Sequence, residues 1–408
     1  MTATARFRGR WTLEDRLEAA LRELPVEVPP GTASLTVTLA YEGGVIDLGC
    51  HGPAGFRGWS GGARREFVIG PDWATPGYLP GEPEPGVWHV WLGLHRVPPE
   101  GVPYEVVVVT SGTPPPDPPD PPDPSPPGDP GPPQRPPRRR DLPAPAGTRW
   151  LAGDLHAHTH HSDGTLTVPE LACRAAALGL DFLAVTDHNT VSHHAELPGA
   201  AARAGITLLP GQEVTTDRGH ANVFGDTGWV DFRRPPADWV AFAAGHGGLV
   251  SINHPLSGDC AWLRPLPPAS RPRLAEIWHS SWWDRRWGAP LAWADLWRPD
   301  VVPVGGSDFH SPAQHQVLGE PTTWVLAGDD GVLGALAAGR TAVSASPGAP
   351  LLLRVDDDLI AVDADGTVLV RPDGTRTVVR GDRVRLPART GGTHRLESYE
   401  NEVIALCG

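Results

Sequence analysis

The spacing of apolar and polar positions changes character several times along this chain. Thr12 is followed three places later by Asp15, as in a helix-capping box, and Leu13, Leu17, Leu21 and Leu24 then recur at near-helical spacing until Pro25. One short amphipathic helix is predicted there. From residue 34 the period drops to two: Leu35, Val37, Leu39 and Tyr41 alternate with Ser34, Thr36 and Thr38. Further short strands are predicted at 45–48, 65–69, 87–92 and 104–109. The Gly- and Pro-rich segments between them suit the loops of a β-sandwich. Trp59, Trp73, Trp88 and Trp91 lie in this region and are expected to fill its core, a ligand platform being the alternative.

From Trp150 onward strand-like and helix-like segments take turns. Thr167 with Glu170 again resembles a capping box; Leu171, Ala175 and Leu178 mark a buried stripe, and Gly179 supplies the stop. Later apolar segments each end in polar residues: TDHNT, GQEVT, GHANVFG, INHP, IWHS and GGSDFH. Repeated strand–helix units with polar strand ends predict an α/β fold with a parallel barrel, whose active site lies on that face. Past Pro350 short alternating runs separated by DADG, RPDG and RTGG predict a small β-rich appendage.

Composition sharpens the domain plan. The chain has 408 residues, enough for two or three domains at roughly 150 residues each. Between 111 and 146 it turns abruptly to Pro, Asp, Gly and Ser and ends in the basic patch Arg138, Arg139, Arg140. Such a stretch buries too little apolar surface to fold and favours an extended spacer. It also offers PxxP ligands to an SH3-like partner. The expected division is a β-sandwich-like domain at 1–110, a proline-rich linker at 111–146, a barrel at 147–348 and a β-appendage at 349–408.

The formal net charge of −14 argues against a long nucleic-acid groove, while leaving room for a small phosphorylated substrate at a metal site; no membrane partner is expected. Cys50, Cys173, Cys260 and Cys407 show no paired spacing and read as thiols in a reducing compartment. The first residues lack the apolar core of a signal peptide, and no run of about 18 apolar residues occurs. A cytoplasmic protein is expected.

The densest chemistry is GDLHAHTHHSDG at 153–164. If its apolar lead-in is a strand, His156 and His158 project from the same face. Asp308 and His310 repeat that spacing, Asp187, His188, Glu213, His220 and His254 follow other predicted strands, and Asp163 sits in the loop directly after the first pair. Any one of them could be an ordinary buried polar group. So many at successive strand ends point instead to a metal centre of imidazole and carboxylate, suited to Mn, Zn or Fe. Open coordination positions would activate water near neutral pH, so the site reads as hydrolytic. No GxSxG elbow, Walker loop, dinucleotide fingerprint or HExxH supports another enzyme class.

The motif GDLHAHTHHSDGTLTVPELACRAAALGLDFLAVTDHNT, continued by EVTT, GHANVFG, INHP and GGSDFH, resembles the opening and core of the PHP (polymerase and histidinol phosphatase) metallohydrolases. In FRGWSGG, PGYLPG and GRTAVSAS the chain is similar to the carbaryl-hydrolase-like CehA/McbA branch. The resemblance implies a distorted (β/α)7 barrel holding two or three divalent ions. It implies one ion on His156, His158, Glu213 and Asp308, with Glu213 bridging to a second on His220 and His254, and a third on Asp163, His188 and His310. Glu213, Asp308 and His310 would carry the catalysis, Asp187 would support a ligand, and Asn189, His193 or Arg218 would approach substrate. His279 stands where that branch usually has Asn, which opens the substrate contacts on its side. Of the tryptophans 278, 282, 283, 287, 293 and 297, most are expected in the core and one or two near the site. The implied activity is hydrolysis of a phosphate ester; carbamate, amide or carboxylic ester hydrolysis, and a non-catalytic metal-stabilised module, are the alternatives.

Overall fold

The computed structural model describes residues 2–116, 140–388 and 391–408. The linker reading and its SH3-like ligand fall largely on 117–139, outside the described residues. By its internal contacts the chain forms two units, and Thr159–Thr165 and Asp187–Ala195 group with the N-terminal strands.

The N-terminal strands form two antiparallel sheets. One runs in the order Thr2–Trp11, Val102–Ser111, Ser34–Tyr41, Glu66–Ile69; the other runs Leu21–Val28, Gly86–Arg96, Val45–Gly52, Gly55–Gly61. Their alternating apolar positions, among them Val26, Val28, Val37, Ile46, Leu48, Val90 and Val106, share one core. Trp59, Trp88 and Trp91 are buried, and Trp73 is half-buried.

The predicted helix needs correction. It is only Leu13–Glu18, with its capping box formed as expected, and Leu21 and Leu24 lie instead in the strand Leu21–Val28. That strand pairs along its full length with Gly86–Arg96, so cross-strand pairing and burial of Val26 and Val28 outweigh the helical leucine spacing. The strand Thr2–Trp11 was not predicted. Its apolar face is only Ala5, Phe7 and Trp11, while Arg6 and Arg8 reach outward to Glu105 at 3.1 and 2.8 Å.

In the second unit the strands β1 (Arg149–Asp154), β2 (Phe182–Val185), β3 (Thr207–Thr216), β4 (Gly219–Phe224), β5 (Leu249–Ile252), β6 (Leu274–His279) and β7 (Val302–Gly306) are hydrogen-bonded in sequence order. Pairing is parallel except on both sides of β4, which is antiparallel to β3 and β5. Past the end of β1, Ala157 bridges in parallel to Phe309 beyond β7, and His158 N donates to Phe309 O at 2.9 Å. This joins the first and last strands and makes a distorted seven-stranded barrel. The helices Val168–Ala177, Leu197–Ala204, Pro236–Gly245 and Ala289–Trp297 lie between strands. Strands β8 (Thr322–Ala327) and β9 (Thr341–Ser344) extend the sheet from β1, and the C-terminal strands continue it through Val403–Cys407. A separate three-stranded sheet holds Leu351–Val355, Asp358–Val362 and Arg383–Pro387. Among the described residues no helix is long and apolar enough to cross a membrane.

Candidate metal centre

The barrel closure brings both ends of the polar pattern to one place. His156 and His158 leave β1 with their side chains buried, and Asp308 follows β7. One ligand atom from each of His156, His158, Glu213 and Asp308 lies within 4.8 Å of the others. Glu213, fully buried on β3, faces a second set at the same time, with His220 Nδ1 at 3.1 Å and His254 Nε2 at 3.3 Å from its Oε1. His156 Nε2 is 3.3 Å from that same oxygen, and His158 Nε2 is 3.6 Å from Oε2. The carboxylate therefore stands between two groups of imidazoles, as the bridging role requires.

The chemistry of these donors fits divalent cations. Burial by itself would lower the His156 imidazole, but the carboxylates of Glu213, Asp308 and Glu276 outweigh it and raise its pKa well above the usual range. Burial likewise pushes Asp308 up, yet His156 and His158 hold it well below the usual carboxylate range. A pocket this anionic attracts positive charge, and buried His156 Nε2 faces two carboxylate oxygens, at 3.1 and 3.3 Å, without hydrogen-bond alignment. Imidazole and carboxylate with no thiolate suit Mn, Zn or Fe.

Several supporting residues escaped the sequence reading. Asn253 Nδ2 donates to Glu213 Oε1 at 2.8 Å, and Asn253 Oδ1 accepts from Asn222 N at 3.1 Å. Glu276 on β6 lies 3.1 Å from His156 Nδ1 and accepts from His254 N at 2.8 Å, steadying one ligand of each set. Gly306 makes room for it, since a Cβ there would sit 1.9 Å from Glu276 Oε1 and 2.6 Å from His156 Cβ. Asp154 accepts from the backbone N–H groups of His156, Ser307 and Gly319 at 3.1, 3.1 and 2.8 Å, tying the first motif to the last. An acidic residue inside an otherwise apolar strand, such as Glu276 in LAEIWH, was the available signal. His254 and Asp308 also adopt positive φ, of 26° and 54°, a costly conformation for non-glycine residues that collects at functional sites.

His310 stacks on His158 with centroids 4.2 Å apart, and its Nδ1 donates to Asp308 O at 2.7 Å, leaving Nε2 as the lone-pair nitrogen. His279 Nε2 lies 3.4 Å from Asp308 Oδ2, and its Nδ1 meets Ser281 Oγ at 2.7 Å. Arg218 is exposed on the turn between β3 and β4 and donates to Leu263 O at 3.3 Å.

Asp163 and His188 lie in the segments that group with the N-terminal strands, and His188 Nε2 is 3.6 Å from Asp163 Oδ1. Asp187 organises these segments. Its buried carboxylate accepts from Thr159 N (2.9 Å), Thr159 Oγ1 (2.7 Å) and Ser162 Oγ (2.6 Å), and lies 3.1 Å from His193 Nδ1. Asn189 next to it is buried with φ of 53°. N-terminal residues hold the same segments from the other side. Arg64 donates to His160 O and, at 3.0 Å, to Ser162 O; Gly77 N donates to Ser192 Oγ at 3.0 Å, and Thr190 Oγ1 to Gly77 O at 2.8 Å. Burial pushes Asp47, on the strand Val45–Gly52, up to about 7, with His188 lowering it and Asp163 raising it.

Residues 154–255 match the family model of the PHP domain, a span that contains β2 to β5 and seven of the nine proposed ligands. That span is similar to a PHP domain. Over 70 residues it is 47% identical to the 3',5'-nucleoside bisphosphate phosphatase of Chromobacterium violaceum, covering 17% of this chain and 25% of that one. Over 64 residues it is 44% identical to a 5'-3' exoribonuclease of Haemophilus influenzae, covering 16% and 23%. The chain thus spans about a quarter of the length of the curated relatives it matches. Among solved structures, a two-domain protein of Bacteroides vulgatus containing a predicted PHP-like metal-dependent phosphoesterase aligns at 18% identity and a TM-score of 0.41, over 66% of this chain and 90% of that one.

Proposed function

We propose that this chain is a metal-dependent hydrolase of phosphate esters on a small molecule or nucleotide. The observation that carries the reading is Glu213, a buried carboxylate set between His156 and His158 on one side and His220 and His254 on the other. His156, His158, Glu213 and Asp308 would hold one ion, and Glu213, His220 and His254 a second. Asp163, His188 and His310 would hold a third, supported by the Asp163–His188 pair and the His310 tautomer. When bound, such ions would supply the Lewis acidity that activates water and neutralises charge on the phosphoryl oxygens. The chain's own contribution is placement: Asn253 and Glu276 fix the bridge and its imidazoles, Asp154 locks the two ends of the barrel, and Asp187 shapes the segments bearing Asp163 and His188.

The names of the two curated relatives speak of phosphate ester substrates, which supports phosphorus over a carbamate or carboxyl carbon. Membership of the CehA/McbA branch and a cytoplasmic home belong to the same proposal, the latter supported by four free thiols. So does the division at 110, 146 and 348.

The test is a panel of phosphomonoesters, phosphodiesters, nucleotides and aryl carbamates, assayed separately with Mn, Zn and Fe. Turnover of at least one phosphate ester that chelator abolishes and metal restores is expected. Hydrolysis confined to the carbamates would overturn the phosphoesterase reading in favour of carbonyl chemistry.

A further inference from the structure

A cavity of about 220 Å³ opens beside the metal centre, wholly within the barrel unit. Its deep end is made by His254, Glu276 and His279, which are 4%, 3% and 7% exposed; its mouth is made by Leu256, Trp283 and Trp287, which are 46%, 79% and 67% exposed. His254 is one of the proposed ligands, so whatever fills this cavity abuts the reacting group. Three large apolar side chains left in water around a buried polar floor are unusual on a folded surface and mark a binding site.

The exposure does not come from a slack loop. Trp282 N donates to His279 O at 2.9 Å, Trp287 N to Asp284 O at 3.0 Å, and Trp282 Nε1 to Trp287 O at 2.9 Å. Arg285 anchors the turn from behind, with Nε on Val403 O at 3.0 Å, an ion pair to Glu402 at 2.5 Å and its guanidinium over Trp278. Trp278, Trp282 and Trp297 are buried and Trp293 packs against the same core. The turn is therefore built and fixed, and it presents Trp283 and Trp287 outward regardless.

We propose that this cavity seats the aromatic part of the substrate, an aryl ring or a nucleobase, with its phosphate at the metal centre. The proposal rests on the phosphoester reading and adds the substrate class. Flat indole faces stack on π-systems of either kind with little regard to ring identity. The cationic groups nearby are already engaged, Arg285 by Glu402 and Arg286 by Asp284, so the occupant is neutral rather than a second anion. The modest volume suits a group of one or two rings.

The experiment compares phenyl phosphate, adenosine monophosphate and glycerol phosphate as substrates of the metal-loaded protein, Trp283→Ala and Trp287→Ala. Both tryptophans are exposed, so the variants are expected to fold, which circular dichroism checks. The ratio of kcat/KM for an aromatic ester to that for glycerol phosphate is expected to fall roughly tenfold in each variant, the size of one lost stack, mostly through KM. A fall for adenosine monophosphate alone assigns a nucleobase, and a fall for phenyl phosphate alone assigns an aryl group. An unchanged ratio for both overturns the proposal. Calorimetric titration with phenylphosphonate and methylphosphonate separates it from the reading beneath it, because neither is turned over. Should the parent hydrolyse no phosphate ester, the phosphoesterase reading fails, and the cavity stands or falls on whether phenylphosphonate binds more tightly and loses that advantage in the variants.

Discussion

Glu213→Gln is expected to abolish measurable phosphate ester turnover while the barrel stays folded. Glutamine keeps the shape, and its carbonyl still accepts from Asn253 Nδ2, which lies 2.8 Å from Glu213 Oε1. What it loses is the negative charge that His156, His220 and His254 all face at 3.1 to 3.3 Å. A neutral amide cannot bridge two divalent cations, so metal content should drop by at least one ion per chain. Uncatalysed phosphate-monoester hydrolysis is so slow that enzymes supply up to ~10²¹-fold acceleration, and a site without its bridge should retain nothing detectable. Metal analysis, circular dichroism and single-substrate kinetics on the same preparation check the three parts. A folded variant with near-normal turnover would sink the bridged-metal mechanism.

Asp187→Ala is expected to lower stability by about 3–5 kcal/mol, the usual cost of removing one partner from a buried charged network, and the melting temperature by roughly 10 °C. The carboxylate accepts from Thr159 N, Thr159 Oγ1 and Ser162 Oγ, and alanine leaves those donors buried without it. Because these residues shape the segments that carry Asp163 and His188, the third proposed ion should be lost while the pair at Glu213 stays. Asp187→Asn restores an acceptor but points an amide N–H₂ at a donor, so it should fall between the two. Thermal melts and metal stoichiometry of both variants decide the matter. A melting temperature within 2 °C of the parent in Asp187→Ala would show that the network carries no stability.

How much of this was legible beforehand depends on how far apart the partners lie in the chain. Two-residue spacing on a strand is a local property, so the same-face projection of His156 and His158 could be read directly, and so could the capping boxes at Thr12 and Thr167. The β-rich start, the barrel and the recurrence of ligand-type residues at strand ends followed from period and composition. The extent of the first helix did not, because Leu21 and Leu24 fit helix and strand alike until Gly86–Arg96 is there to pair with them.

The donor types of the candidate centre could be read along the chain, since residue types and strand-end placement are written into it. Only the tertiary structure decided which groups act together. Glu276 meets His156 across 120 positions and Asp154 meets Gly319 across 165, contacts that exist because β1 closes against the end of β7. The same holds for Trp283 and Trp287, identical in kind to the buried Trp278 and Trp282. The turn that presents them is held by Arg285, which reaches Glu402, 117 residues away, and no local period encodes such a contact.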